Sequence, residues 1–267
     1  MKKELLFAIL FALLVSCKKD YVPVVNTPPV VTPKILLKDY VSQNLPSPYY
    51  HFEYDASREV SFISFASDFE RYDVTYSQGR INEIRNNILV NKDRLHYFYN
   101  NEGKVELIAY ADSTGKVYRF VDLFYAGSKL VRLERSRSLP SAGEVLEKTI
   151  TFSYYPDDNL KDITYRFLPQ NGQPETHSTS HFEQYDNKIN VDAFSLLHDE
   201  FFDHLVFLPG VQLQKNNPAK ETRTGDGLNY IADYSYDYND KNAPVTRRAN
   251  VQTNTGQVQF TNTFTYY

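Results

Sequence analysis

The chain has no tryptophan, one cysteine, one methionine and only ten glycines in 267 residues. A single cysteine cannot close an internal disulfide, so the fold must be held by burial. Collagen-like chains and disulfide scaffolds are excluded by the same scarcity of glycine and cysteine. The lack of tryptophan weakens the case for a carbohydrate-stacking platform. No apolar run reaches the ~20 residues of a membrane-spanning helix. A phosphate-cradling Gly-rich loop, a Gly-x-Ser-x-Gly elbow and a His-Glu-x-x-His pair are all missing. The formal net charge of -4 argues against nucleic acid, which needs a clustered basic face.

What is present starts at the N-terminus. Lys2 and Lys3 precede an apolar run from Leu5 to Val15, which has the length of a signal-peptide core. The run ends in Leu14-Val15-Ser16-Cys17, which resembles a bacterial lipobox. That resemblance implies cleavage before Cys17 and acylation of its thiol. Two or three acyl chains give stable anchoring where one does not. Lys18 stands where an inner-membrane retention signal commonly places Asp, which favours the outer membrane, on its periplasmic face or at the cell surface.

Residues 18–34 carry Pro23, Pro28, Pro29 and Pro33, which interrupt any helix or ladder. An extended tether of ~3.1 Å per residue could span roughly 50 Å. The chain therefore divides into a signal peptide (1–16), an acylated cysteine with a Pro-rich tether (17–34) and a single β-repeat domain (35–267).

Tyrosine and phenylalanine, at 22 and 18 residues, are the compositional excess and fit strands. From about residue 48 onward one unit recurs. An alternating run enters a tyrosine, then a polar turn, a Lys or Arg, an aliphatic residue and a second alternating run. Copies fall at 50–63, 72–84, 95–108, 121–133, 151–163, 181–191 and 234–246, and the closing FTNTFTYY matches the first half of another. Each copy reads as a β-hairpin whose turn residues tolerate positive φ. A spacing of roughly 25–30 residues leaves no room for crossover helices, so the strands form an antiparallel meander. Roughly fifteen strands exceed what a flat sheet usually carries, which predicts an all-β fold curling into a barrel-like or strongly bent sheet.

Two stretches break the rhythm. In 193–208, Leu197, Phe201, Leu205 and Leu208 fall at helical spacing, flanked by Phe194 and Phe202. With Asp192 as N-cap and Pro209-Gly210 as stop, the spacing predicts one short helix packed on the sheet and plugging one end. Residues 215–227, KNNPAKETRTGDG, read as a polar surface loop.

The tyrosine–turn–basic–aliphatic unit resembles the repeats of YD-repeat proteins; Tyr54-Asp55 and Tyr185-Asp186 match that turn directly. Together with the lipobox, the tether, Asn216-Asn217-Pro218 and the terminal Phe-x-Tyr-Tyr, it is similar to a Bacteroidota lipoprotein family of unknown function with a porin-like fold. The resemblance covers residues 48–267. It implies fold and location, and carries no catalytic residues.

Candidate site chemistry is sparse. His177 and His181 share a strand face. His198 and His204 crowd the predicted helix with Asp199, Glu200 and Asp203, at spacings unlike a metal motif, so neither a metal nor a cofactor is expected. Asp112-Ser113-Thr114 resembles a short O-glycosylation motif, with an ordinary turn as the simpler reading. An integral barrel needs an apolar lipid face, whereas 71–86 places charged and polar residues on both faces. The reading is a non-enzymatic binding or scaffold module at the outer membrane, tethered to the membrane through its lipid, with Cys17 its one site residue. Candidate partners are an outer-membrane protein complex, a peptide or a glycan. The alternative is a glycan-active hydrolase of the envelope, which would show two inward carboxylates at a fixed separation.

Overall fold

The structure, a computed structural model, describes residues 35–140, 143–170, 172–191, 194–198 and 203–267. The predicted signal peptide, Cys17 and the tether lie outside these residues. So do Asp192, Asp199, Glu200, Phe201 and Phe202. Ile35–Tyr267 forms one compact unit.

Eighteen strands occur among the described residues, all paired antiparallel. They are β1 Leu37–Ser42, β2 Tyr50–Tyr54, β3 Val60–Phe65, β4 Glu70–Ser77, β5 Arg80–Asn86, β6 Arg94–Tyr99, β7 Val105–Ala111, β8 Val117–Ala126 and β9 Lys129–Leu139, then β10 Gly143–Tyr154, β11 Leu160–Phe167, β12 Thr176–Tyr185, β13 Phe194–Leu197, β14 Val206–Pro209, β15 Pro218–Gly225, β16 Tyr230–Tyr238, β17 Pro244–Thr253 and β18 Gly256–Tyr266. Sixteen form a closed barrel; β13 and β14 form a separate two-stranded sheet. The wall is a continuous meander, closed where β1 meets β18 with Tyr40 opposite Phe264. Closure removes the edges an open sheet would expose.

Alternation sets the two faces of the wall. In β4, Tyr72 and Val74 are buried, whereas Arg71 and Thr75 are exposed. In β16, Ala232, Tyr234 and Tyr236 face inward, and Asp233, Ser235 and Asp237 face solvent. Outer residues pair with one another: His51 with Asp39 at 2.6 Å, Arg248 with Asp237 at 2.5 Å. A lipid-facing barrel has the reverse polarity, apolar outside and polar within.

Repeat tyrosines hold one rim together. Most occupy a bulge at the end of their strand, opposite the aliphatic residue after the turn: Tyr54 opposite Val60, Tyr76 opposite Ile81, Tyr154 opposite Leu160. In most copies the hydroxyl then donates to the carbonyl of the preceding hairpin's aliphatic residue. Tyr76 reaches Val60 at 2.9 Å, Tyr99 reaches Ile81 at 2.8 Å, Tyr154 reaches Leu130 at 2.7 Å and Tyr185 reaches Leu160 at 2.6 Å. An Asp or Asn often follows, and its side chain accepts amide protons of the turn, as Asp55 does from Ser57 and Glu59.

The helix predicted over 193–208 is replaced by a β-hairpin. Phe194 pairs with Pro209, Ser195 with Leu208 and Leu197 with Val206. Consecutive Leu205, Val206, Phe207 and Leu208 are all buried, so no side of β14 faces water and helical spacing carries no information there. The loop predicted over 215–227 is also corrected, since it contains the wall strand β15, paired with β12 and β16. Its inward slots hold Glu221 and Arg223, so the apolar alternation that marks other strands is missing. Both are satisfied inside: Tyr230 and Tyr234 hydroxyls donate to Glu221 at 2.7 Å each, and Arg223 donates to Ser178 at 2.8 Å.

Candidate functional site

A barrel of this strand number is wide enough to leave a lumen. Here large side chains and the β13–β14 hairpin occupy it. The hairpin belongs to an excursion, residues 186–217, inserted between wall strands β12 and β15 at the tyrosine rim. Its neck is fixed by amides. Asn217, buried to 3% exposure, donates to Asp186 and to the carbonyl of Ile189, and Asn216 donates to the carbonyl of Lys188 at 2.7 Å. Tyr238 donates to the same Asp186 carboxylate.

Asp203 and His204, which lead into β14, lie near the opposite rim, where charge clamps them. Asp203 accepts from Arg119 at 2.6 Å and from Arg135. Burial pushes the Asp203 carboxyl up; the charges of Arg135, Arg119 and Lys148 outweigh that and hold it below the usual range. Glu147 lies on the far side of the arginines, 3.1 Å from Arg137, balancing the cluster. His204 sits between Tyr72, at 3.0 Å, and Asp93, at 3.0 Å, and Tyr118 donates to the same Asp93 oxygen at 2.6 Å. The bond to His204 holds Asp93 below its ordinary range, with burial opposing and the Tyr118 bond assisting. Midway along, Tyr97 donates to the Phe207 carbonyl at 2.9 Å.

Between the hairpin and the wall strands β1, β2 and β16–β18 lies a cavity of about 420 Å³. It runs from Leu37 and Pro244 at the tyrosine rim to Tyr49 and His198 near the other. Tyr40 is its hub, with ring centroids 5.3 Å from Phe264, 5.9 Å from Tyr50 and 6.2 Å from Tyr49. Arg247 reaches in from β17, donating to the Tyr40 hydroxyl at 3.0 Å. The Asn262 amide, with its oxygen turned to Arg247, accepts at 2.8 and 3.0 Å. Burial pushes the Tyr236 phenol up to about 12, against the lowering charge of Arg247. Volume, aromatic walls and a few convergent polar groups are the features of a small-molecule binding site.

The chain resembles porin-like proteins of Bacteroides in its fold. A porin-like protein from Bacteroides uniformis ATCC 8492 superposes with a TM-score of 0.57 at 14% identity, covering 87% of this chain and 95% of that one. Another from Bacteroides vulgatus ATCC 8482 gives 0.56 at 16% identity, covering 87% and 99%. No family model matches the chain. No curated protein matches it either.

The histidines singled out in the sequence separate. His177 and His181 do share the outer face of β12, yet each meets its own carboxylate, Glu175 at 2.6 Å and Asp162 at 2.7 Å. His198 and His204 both lie on the excursion, one at the cavity and one in the clamp. No group of three His, Cys, Asp or Glu suited to a metal ion occurs among the described residues. Asp112 accepts the Thr114 and Lys116 amides at 2.8 and 3.1 Å, an Asx turn. Sequence reasoning missed Arg119, Arg135, Glu147 and Arg247. Their signal was a charged residue in an inward slot, as in Arg119-x-Val121-x-Leu123.

Proposed function

We propose that this is a non-enzymatic binding or scaffold module of the outer membrane, held there by acyl chains on Cys17. One observation carries the reading: the barrel wall is polar outside and the lumen holds a formed aromatic cavity, an arrangement suited to a body that stands off the membrane and binds. The lipobox-like Leu14-Val15-Ser16-Cys17 supplies the attachment, and the fold likeness to porin-like Bacteroides proteins is compatible with an envelope location. The inward carboxylates Glu147, Asp203 and Glu221 are each occupied by arginine or tyrosine partners, which weighs against a hydrolytic pair.

The test is crosslinking and affinity capture of the native protein from intact cells, alongside its Cys17→Ala variant. Membrane fractionation and reproducible capture of a defined envelope partner are expected of the native form. Processing and membrane association of Cys17→Ala at native levels would overturn the anchoring. Glycan hydrolysis by the purified domain would overturn the non-enzymatic reading.

A further inference from the structure

We propose that the barrel cavity binds a small planar organic monoanion, a carboxylic acid of the arylacetate type, through Arg247. The proposal deepens the binding-module reading and rests on it.

Charge in the cavity is unbalanced. The residues lining it include one guanidinium, Arg247, and no carboxylate. Arg247 meets the Tyr40 hydroxyl, the Asn262 amide oxygen and Tyr236, and its guanidinium carbon stands 5.2 Å from the Tyr234 ring centroid. Glu221 lies outside the lining; its charge acts on Arg247 through the interior, while its oxygens accept from the Tyr230 and Tyr234 hydroxyls. By contrast, Asp203 in the same lumen is met by two arginines. The lining therefore offers an entering ligand one guanidinium and no carboxylate.

Its chemistry follows from what surrounds that arginine. His198 closes one end of the cavity, its Nε2 3.1 Å from the carbonyl of Asp203 and its Nδ1 3.2 Å from the Tyr50 hydroxyl. Arg247 is the one guanidinium of the lining, which suits a monoanion better than a dianionic phosphate. A guanidinium fork matches the two oxygens of a carboxylate. Tyr40, Tyr50 and Phe264 offer ring faces and edges to a flat apolar body. Leu37, Leu196 and Pro244 complete the apolar lining. A ring with a one-carbon carboxylate arm fits well within about 420 Å³.

Because the chain has no tryptophan, indole fluorescence reports a probe directly. The purified domain is titrated with indole-3-acetate and with the neutral indole-3-acetamide, reading probe anisotropy and the melting temperature. Saturable binding of the acid is expected, with the amide at least about tenfold weaker and the melting temperature raised by the acid alone. Arg247→Gln should weaken the acid about tenfold or more, and Arg247→Lys less. Arg248→Gln is the control, since Arg248 faces outward to Asp237 and should leave binding unchanged. Equal binding of acid and amide, unchanged affinity in a folded Arg247→Gln, or no saturable binding at millimolar probe would overturn the proposal. Capture of an envelope partner with no probe binding would overturn this inference and leave the binding-module reading standing; failure of both would remove both.

Discussion

Asp203 and Arg119, 84 residues apart in sequence, meet at 2.6 Å and tie the segment leading into β14 to the barrel wall. With Arg135 on its other oxygen, Asp203 is the acidic counterpart of a cluster whose basic members come from β8, β9 and β10. Removing one partner of a buried ion pair strands the other, at a cost of about 3–5 kcal/mol. Asp203→Ala is therefore expected to lower unfolding stability by that order. The loss should appear first as faster hydrogen exchange in β13 and β14, with wall strands β3–β5 less affected. Uniform protection unchanged from the native protein would mean that the clamp does not hold the hairpin.

The same carboxylate sets an acid limit. Asp203 and Asp93 both titrate below their ordinary 3.8 in the folded state. A depressed folded value means that their stabilisation is fully present above 3.8 and is lost as pH falls through the lower folded value. Glu70 shifts the other way, raised above 4.5 chiefly by burial, so acidification through that range favours the folded form slightly. Stability is expected to hold, or rise a little, down to about pH 4.5 and then fall steeply below 3.8. Chemical unfolding across that range checks it, and Asp203→Asn should flatten the acid limb.

Gly225 closes β15 at a φ of +118°, and a Cβ placed there would lie 2.3 Å from the His177 carbonyl oxygen. Both the backbone conformation and the space demand glycine. Gly225→Ala is expected to open the β12–β15 pairing at this end and to destabilise by about 1–3 kcal/mol. Gly115→Ala, at φ +88° with open space around it, should cost less. Thermal unfolding of the two variants side by side decides whether close approach adds to the backbone term.

The wall was legible in the sequence because period-two alternation and the tyrosine turn recur in nearly every hairpin. Legibility failed where the lumen is polar or where burial is two-sided. β15 reads as a loop since its inward Glu221 and Arg223 are satisfied by tyrosine and serine hydroxyls of the flanking wall strands β16 and β12. β14 reads as helix since Leu205 to Leu208 are buried on every side, erasing periodicity. Arg247 is hidden beside Arg248: two adjacent arginines look alike in sequence, and only the register against β18 sends one into the cavity and the other to solvent. The cavity joins residues from both ends of the chain, Tyr40 and Phe264 among them, through the barrel closure itself.

That tyrosine ladder makes a graded prediction. Val60 pairs with Tyr54 and accepts from Tyr76; Ile81 pairs with Tyr76 and accepts from Tyr99; Leu130 pairs with Tyr125 and accepts from Tyr154. The next acceptor in the series is the Val105 carbonyl, and the Tyr125 hydroxyl that should reach it is buried with no hydrogen-bond partner. A made bond contributes about 0.5–1.5 kcal/mol, whereas a buried hydroxyl left unmet costs about 1–3 kcal/mol. Tyr99→Phe and Tyr154→Phe are each expected to destabilise by about 1 kcal/mol. Tyr125→Phe keeps the ring over Lys104 and deletes only the unmet hydroxyl, so it is expected to be neutral or stabilising. Urea midpoints at constant slope measure all three, and equal losses at the three positions would show that the rings alone, without their hydroxyls, hold the rim.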